Sequence, residues 1–350
     1  LHAQDPKRDC LRGLVGSEMC IRDRERLLKV ASLISGDDLP EDTMLIATSG
    51  RYEFRNKGLD LFLDAMGKIN QGKNCKKKAV AYILVPANHY GARKDLVEAL
   101  NDTDKELDGD KFLTHYLHYA EHDPVLRGIK ENGIANSKDD AVKVIFVPSY
   151  LKGEDGIFNT EYYDTLMGFD LTVFPSYYEP WGYTPMESMA FSIPTVTTSL
   201  AGFGMWVNDQ VKDPGNAIHV IPRTDGNDHE VVEGICNAIM GFCSISDKET
   251  EDTAKRAFDI SKIALWKNLV KYYWEAYEIA LGRAESVELD YYSQERVESL
   301  PSTTQVLTEV DPIWRRVAVQ QQIPEKLKPL EEISKNIWWS WNKEAVDLFK

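Results

Sequence analysis

The sequence predicts an α/β domain, a doubly wound parallel sheet with helices on both faces. Two observations support this prediction. Short and nearly continuous apolar runs recur along the chain, which is typical of parallel strands buried on both faces. Helical patterns separate these runs, as they do in folds built from β-α-β units. The predicted strands are 44–50, 79–86, 142–148, 171–176, 194–199 and 217–222.

The helices between the strands follow from their apolar periodicity. The segment LDLFLDAMGKI after the first strand repeats apolar residues at helical spacing, and further helices are predicted after Thr184 and over 231–242. Residues 265–285 read as one long amphipathic helix. Its predicted inward face consists of Leu265, Leu269, Tyr272, Tyr273, Ala276 and Ala280.

The stretch 88–138 is polar and is predicted to be helical in parts. Its segment HYLHYAEH places His115, His118 and His122 where they could share one helix face. That spacing suits a metal ion. The alternative, a solvated or partly packed histidine face, is favoured because no cluster of Cys or Asp accompanies the three residues.

Composition limits the classes of function. The net charge of −15 disfavours nucleic acid as a partner, because nucleic-acid binding needs a basic face. No membrane partner is expected, since the chain lacks a run of about 18 apolar residues. No signal-peptide pattern is visible, and the cysteines form no C-x-x-C pair, which favours reduced thiols and a cytoplasmic location. The cysteines are Cys10, Cys20, Cys75, Cys236 and Cys243.

Four segments are expected along the chain. Residues 1–24 are excluded from the fold, because CLRGLVGSEMCIRDR has no hydrophobic period and resembles sequencing-adapter read-through. We expect them to pack against nothing and to be dispensable. Residues 25–285 form the α/β domain, the acidic stretch 286–322 is a linker, and 323–350 begin a second, helical domain.

The stretch YYEPWGYTPMESMA, 177–190, follows a predicted strand and therefore lies at the carboxyl edge of the sheet, where ligands bind in such folds. Thr184 and Glu187 fit the N-cap and N3 positions of a capping box, with Pro185 at N1. The helix N-terminus would seat a phosphate, and Gly182 would let the backbone approach it. The structural alternatives are a reciprocal cap for Glu187 and a surface turn for Glu179.

A second loop, SGRYEFRNKG, follows the first strand. It contains Arg51 and Lys57 in a chain otherwise poor in positive charge. Two cations near a helix N-terminus fit a diphosphate. The alternative is a solvated loop.

Three segments closely resemble animal- and fungal-type glycogen synthases. They are SGRYEFRNKGLDLF, FPSYYEPWGYTPMESMAFSIPTVTTSLAGFG and LWKNLVKYYWEAYEIALGRA. The resemblance implies a GT-B enzyme that transfers glucose from a nucleotide sugar to the non-reducing end of an α-1,4-glucan, glycogen, with retention. It favours UDP-glucose over ADP-glucose. Only the second, donor-binding GT-B domain is matched, so the first is expected upstream, and the chain alone is expected not to catalyse.

The resemblance also implies roles for individual residues. Arg51 and Lys57 match the cations that neutralise the donor diphosphate, so no metal is implied. Glu179 matches the carboxylate beside the donor glucose, and Glu187 matches the one that holds the ribose hydroxyls. The remaining positions are Tyr162 and Tyr150, near the base, and Gly182, Tyr183 and Thr184, whose amides would face the phosphates. Tyr150 stands where relatives tend to carry phenylalanine.

The segment IPEKLKPLEEISKNIWWSWNKEAVDLF is similar to the opening helix of bacterial α-glucan phosphorylases, with NIWWSWN as its most specific part. A tryptophan-rich amphipathic helix of another kind is the alternative. Pyridoxal phosphate would belong to the phosphorylase part beyond Lys350, and no cofactor is expected for the synthase domain. Two other functions stay open: a different retaining GT-B transferase, and a non-catalytic nucleotide-sugar or glucan-binding module regulating the phosphorylase. Keeping Arg51, Lys57, Glu179 and Glu187 together favours catalysis.

Overall fold

A computed structural model describes residues 18–286 with the exception of 73, 74, 76, 103–106 and 108. The chain divides into two compact units, Leu1–Tyr272 and Tyr273–Lys350. The strands β1 to β8 are Met44–Ser49, Ala79–Leu84, His89–Ala92, His115–Leu117, Val142–Val147, Leu171–Val173, Thr195–Thr198 and Ile218–Ile221. The helices α1 to α10 are Glu18–Ser35, Leu59–Gly72, Lys94–Asn101, Pro124–Glu131, Tyr162–Leu166, Tyr183–Ala190, Gly202–Gln210, Asp228–Phe242, Asp247–Ile263 and Trp266–Ser286.

Six strands form one parallel sheet in the order β5-β2-β1-β6-β7-β8, and β3 pairs with β4 in a separate antiparallel hairpin. The predicted α/β class with a parallel sheet is confirmed. The sheet grows in both directions from β1, so the point between β1 and β6 is the switch point at which the strand order reverses. In such sheets the crevice outside the carboxyl ends at this point is the usual binding site.

Alternate residues of each central strand point to opposite faces of the sheet, and each face has its own core. Ile46 of β1 belongs to the cluster that includes residues of α2, α4 and α8. Its neighbour Leu45 belongs to the opposite cluster, with residues of α1, α3 and α5. A third cluster joins α6, α7 and α9 through Met189, Phe203 and Ile260. The helices on both faces hold the carboxyl edge of the sheet in place.

The expectation that residues 1–24 pack against nothing is wrong at their end. Helix α1 begins at Glu18, and Asp23 is buried. The guanidinium of Arg24 donates to Asp170 Oδ2 at 2.8 Å and to the carbonyl of Thr43 at 2.7 Å. Arg24 therefore joins the amino ends of β1 and β6. The helical period extends further upstream than the sequence pattern indicated, whereas the suggested origin of the segment stays a prediction.

One further expectation is wrong, and a second holds only in part. The three histidines do not share a helix, because His115 begins β4 and His122 ends a short 3₁₀ helix. Of the predicted inward face of the last helix, Leu265 and Leu269 are half-buried and Tyr272 is 38% exposed, so this face is only partly covered within the first unit. An amphipathic pattern identifies the apolar side of a helix but not the element that covers it.

Three predicted segments lie outside the described residues: most of 1–24, nearly all of the linker 286–322, and the helical start at 323–350. Within the described part of the chain, no helix combines the length and apolarity that crossing a bilayer requires.

Candidate functional site

Two loops meet at the switch point, one after β1 and one after β6. The amide of Tyr177 donates to the carbonyl of Asn56 at 2.8 Å. Gly58 has a φ of +66°, and a Cβ there would lie 2.0 Å from the carbonyl oxygen of Pro175. Only glycine fits so close an approach in this conformation. The two loops are therefore held together, and the residue before Gly58 is brought beside the segment that follows Tyr177.

That residue is Lys57, and its ammonium forms an ion pair with Glu179 Oε2. The two side chains are only 15% and 22% exposed. The lysine stem passes over Gly50, where a Cβ would lie 3.7 Å from its Cδ and Cε atoms. The structure thus brings together two of the predicted catalytic residues, which are 122 positions apart in the chain. Partial burial strengthens their attraction compared with a pair in open solvent.

The backbone of Glu179 is fixed by a third loop, between β7 and α7. Its amide donates to Leu200 at 3.2 Å, and its carbonyl accepts from Gly202 at 3.0 Å. A Cβ at Gly202 would lie 2.2 Å from the carbonyl oxygen of Pro180, so the two segments touch along their main chains. Sequence reasoning missed this contact. The signal was Gly202, the first glycine of SLAGFG, which allows the backbones to approach.

Helix α6 begins at Tyr183, with Gly182 as N-cap at a φ of 93° and no side-chain cap. The predicted capping box, with Thr184 at the N-cap and Glu187 at N3, is therefore wrong. Gly182 reaches the left-handed conformation that turns the chain into the helix, so the helix starts before Thr184. Tyr183 and Thr184 then lie in the first turn, whose amides have no acceptor within the helix. That turn contains no acidic residue.

Glu187 is free of the capping role and has a different partner. The hydroxyl of Tyr163 donates to Glu187 Oε1 at 3.0 Å, and the Tyr163 ring stacks on Phe191 with centroids 5.3 Å apart. Burial raises the pKa of Glu187 above its usual value, while the hydrogen bond from Tyr163 acts in the opposite direction. Sequence reasoning missed Tyr163, because nothing in the pair Tyr162–Tyr163 shows which ring faces the carboxylate.

Tyr162 and Tyr150, the predicted base-binding residues, differ in their surroundings. The hydroxyl of Tyr162 lies 2.8 Å from Ser49 Oγ at the end of β1, and burial raises the pKa of the Tyr162 phenol. Tyr150 is 67% exposed, with the ammonium of Lys152 5.0 Å from its ring centroid. Tyr162 is thus anchored beside β1, whereas Tyr150 presents an open ring after β5.

Arg51, the second predicted cation, is not drawn into the Lys57–Glu179 pair. Its side chain is 78% exposed, and its guanidinium lies 3.1 Å from Glu53 on the same loop. An exposed ion pair of this kind contributes little to stability and is easily exchanged for another partner. No group of three or more His, Cys, Asp or Glu side chains suited to a metal occurs among the described residues.

The arrangement is that of a ligand-binding α/β domain whose binding edge is the switch point between β1 and β6. The chain belongs to the glycogen synthase family of glycosyltransferases, which it matches over residues 35–103 and 103–311. The resemblance read from the sequence is therefore confirmed. Residues 323–350 match a separate family described as a protein of unknown function (DUF3417).

Curated relatives are glycogen [starch] synthases. The liver protein of Mus musculus is 29% identical over 296 residues, which cover 70% of this chain and 42% of that protein. The Neurospora crassa protein is 26% identical over 325 residues, covering 77% and 46%. The Caenorhabditis elegans protein is 29% identical over 300 residues, covering 69% and 44%. The chain thus spans less than half the length of these relatives.

Among solved structures, WaaG, a glycosyltransferase involved in lipopolysaccharide biosynthesis, aligns with a TM-score of 0.40 at 13% identity. The alignment covers 74% of this chain and 50% of that chain. The parallel sheet of this chain is established by its own strand pairing.

Proposed function

We propose that this chain is the donor-binding part of a glycogen synthase that transfers glucose from UDP-glucose to the non-reducing end of an α-1,4-glucan, with retention. The proposal is supported by membership of the glycogen synthase family and by the glycogen [starch] synthases among its relatives. The observation that carries it is the Lys57–Glu179 pair at the switch point, where a cation and a carboxylate lie side by side in a partly buried site.

A donor diphosphate would bind where that pair lies. Its oxygens would compete with Glu179 for the ammonium of Lys57, because both are anionic acceptors for one cation. Arg51 would leave Glu53 and add a second positive charge. The amides of Gly182, Tyr183 and Thr184 would supply neutral donors at the start of α6. Together these groups would stabilise the negative charge that develops on the leaving nucleoside diphosphate, without a metal or another cofactor.

Release from Lys57 would leave the Glu179 carboxylate next to the donor sugar. There it would stabilise positive charge at the anomeric carbon or hold a sugar hydroxyl. Glu187, which lies eight positions further along the chain within α6, would accept hydrogen bonds from the ribose. Tyr162 and Tyr150 would lie near the base, and the open ring of Tyr150 is the one that a flat uracil can stack on.

The transfer step is proposed for the whole enzyme, because the chain spans less than half of its curated relatives. We expect the chain alone to bind the donor without elongating glycogen, since transfer also needs an acceptor held in line with the donor. For residues 323–350, we propose the start of an α-glucan phosphorylase-like part, on the basis of the NIWWSWN motif. We also propose a cytoplasmic location, because the cysteines among the described residues are free thiols.

The test is a calorimetric titration of the full chain with UDP-glucose, ADP-glucose, UDP and GDP. We expect UDP and UDP-glucose to bind most tightly, and Lys57→Ala to weaken both. Lys68→Ala is the matched control, because Lys68 forms an exposed ion pair with Glu233 on the helices away from the site. A preference for ADP-glucose would overturn the donor assignment alone. Binding of no nucleoside diphosphate would overturn the enzyme proposal and favour a structural module.

A further inference from the structure

A cavity lies at the carboxyl edge of the sheet, beside the proposed donor site. It has a volume of about 340 Å³, at the lower end of the range usual for small-molecule sites, roughly 300–1,000 Å³. It opens between the loop after β1 and the loop after β8. The lining residues are Arg55, Asn56, Asp60, Tyr177, Arg223, Asp225 and Asp228.

The cavity adjoins the proposed donor site through the chain itself. Asn56 precedes Lys57, and Tyr177 stands two positions before Glu179. The hydrogen bond between the Tyr177 amide and the Asn56 carbonyl ties these two walls together. Because consecutive Cα atoms are about 3.8 Å apart, a molecule in the cavity lies within one or two residues of the Lys57–Glu179 pair.

Tyr177 and Arg223 contact each other in the wall of the cavity. The guanidinium of Arg223 lies 5.0 Å from the centre of the Tyr177 ring, and the Tyr177 hydroxyl donates to Asp225. Arg223 is buried, and its Nη1 donates to Asp228 Oδ1 at 2.5 Å. Its backbone amide donates to Ser199 Oγ at 2.9 Å. Its Nε is buried without a hydrogen-bond partner among the described residues. A buried donor without an acceptor is unfavourable, so the fold leaves one hydrogen-bond donor of Arg223 unused.

The charges of the lining indicate the class of ligand. Two arginines face three aspartates, so the cavity has no excess positive charge to attract a phosphate or a nucleotide. Carboxylates, an amide, guanidinium groups and one tyrosine ring remain. Such groups hydrogen-bond to hydroxyls, and an aromatic ring offers an apolar surface to the C–H face of a sugar. This set suits a neutral, polyhydroxylated ligand.

We propose that this cavity is a subsite for the glucan acceptor, binding glucose units of an α-1,4-glucan chain beside the donor site through the Tyr177 ring and the carboxylate of Asp225. The inference rests on the proposed function, because it takes the acceptor to be a glucan. It adds that the donor-binding part of the enzyme itself holds acceptor. The Arg223 guanidinium orders the tyrosine ring from one side.

The test measures maltohexaose binding by calorimetry with the full chain and four variants. Tyr177→Ala removes the ring, and we expect it to weaken maltohexaose about tenfold, the effect of losing roughly one good contact. Asp225→Asn, at an exposed position, should weaken it about threefold to tenfold. Tyr177→Phe keeps the ring and should stay within about threefold of wild type. Tyr119→Ala is the control, since Tyr119 is an exposed tyrosine that does not line the cavity.

UDP is titrated into the same proteins, and its affinity should change less than about threefold in all of them. This second ligand separates the two proposals and reports folding of the variants. UDP binding without any maltohexaose binding to the wild-type chain would overturn the acceptor subsite and leave the proposed function standing. Unchanged maltohexaose affinity in both Tyr177→Ala and Asp225→Asn would also overturn it. Loss in Tyr119→Ala alone would move the glucan site to the β3–β4 region and overturn it as well.

Discussion

The two ends of the segment from Glu179 to Glu187 place identical carboxylates in different surroundings. Glu179 lies in a loop, held by backbone hydrogen bonds to the β7–α7 connection and paired with the ammonium of Lys57. Glu187 lies inside α6, where its partner is the neutral hydroxyl of Tyr163 and where burial raises its pKa. Only eight positions separate the two residues in the chain.

The difference shows how one short segment can supply two functions. A carboxylate beside a cation exchanges that partner when an anionic ligand arrives, so Glu179 is suited to a step in which charge moves. A carboxylate held by a neutral donor on a helix keeps its position, so Glu187 is suited to holding hydroxyl groups. Different environments commonly assign different roles to paired carboxylates in enzymes.

The largest effect is expected for Glu179→Gln in the whole enzyme. The substitution keeps the shape of the side chain but removes the charge next to the donor glucose. We expect kcat to fall about 100- to 1,000-fold, the usual cost of losing one preorganised electrostatic contact. Radiolabelled glucose transfer to glycogen measures this.

Donor affinity provides the control for that variant. Without the Glu179 charge, Lys57 is released for the diphosphate, so UDP should bind as tightly as to wild type or more tightly. Weaker UDP binding together with near-normal turnover would remove Glu179 from the reaction and reverse the comparison of the two carboxylates.

A smaller effect is expected for Lys57→Ala, measured as UDP affinity of the full chain. The Lys57 side chain is only 15% exposed, so losing its charge-assisted hydrogen bond should weaken UDP about 10- to 100-fold. Arg51→Ala should cost less, about threefold to tenfold, because the Arg51 side chain is 78% exposed and screened by water. Equal losses for the two variants would show that Arg51 moves fully into the site when the ligand binds.

Glu187→Gln tests the other end of the segment. The amide oxygen can still accept from Tyr163, so stability should change little, while UDP affinity should fall about tenfold. Titration with 2′-deoxy-UDP gives the matched control. If Glu187 holds the ribose, deoxy-UDP and UDP should bind the variant almost equally. If Glu187→Gln and removal of the 2′-hydroxyl each weaken binding by the same factor whether or not the other change is present, Glu187 does not hold the ribose.

The framework of this fold was predictable from the sequence, because buried parallel strands are written as apolar runs. The strands at Met44–Ser49 and Val142–Val147 fall within the predicted segments 44–50 and 142–148. The location of Lys57 and Glu179 could also be predicted, since each follows a strand that ends at one edge of the sheet. Their roles came from the family resemblance and stay predictions.

The remaining features depend on contacts that no local pattern encodes. Thr184, Pro185 and Glu187 satisfy the capping rule, yet Gly182 starts α6 earlier by adopting a left-handed conformation. Tyr162 and Tyr163 are neighbours of the same residue type, yet the Tyr163 hydroxyl donates to Glu187 whereas the Tyr162 hydroxyl lies beside Ser49. Arg24 sits in a stretch without hydrophobic period, and its value to the fold is a hydrogen bond to Asp170, 146 positions away.

The smallest expected effect concerns Tyr163→Phe, which leaves the Glu187 carboxylate in place and removes only the hydroxyl that donates to it at 3.0 Å. Burial already raises the pKa of Glu187, and the Tyr163 hydrogen bond lowers it, so removing that bond should raise the pKa further. Glu187 would then take up its proton at a higher pH than in wild type. If the charged form holds the ribose, UDP affinity at about pH 8 should stay within roughly twofold of wild type, whereas its decline on acidification should begin at higher pH, by less than about one unit.

UDP itself takes up a proton near pH 6, so the decline must be compared with a protein that lacks the Glu187 titration. Glu187→Gln is that reference. Adding Tyr163→Phe to it should leave the pH dependence of UDP affinity unchanged, because no carboxylate remains for the hydroxyl to tune. An equal shift in both backgrounds would mean that Tyr163 acts through the Phe191 stack and the shape of α6. If Tyr163→Phe alone does not shift the pH at which UDP affinity declines, burial sets the pKa of Glu187. The Tyr163 hydroxyl would then not be what distinguishes Glu187 from Glu179.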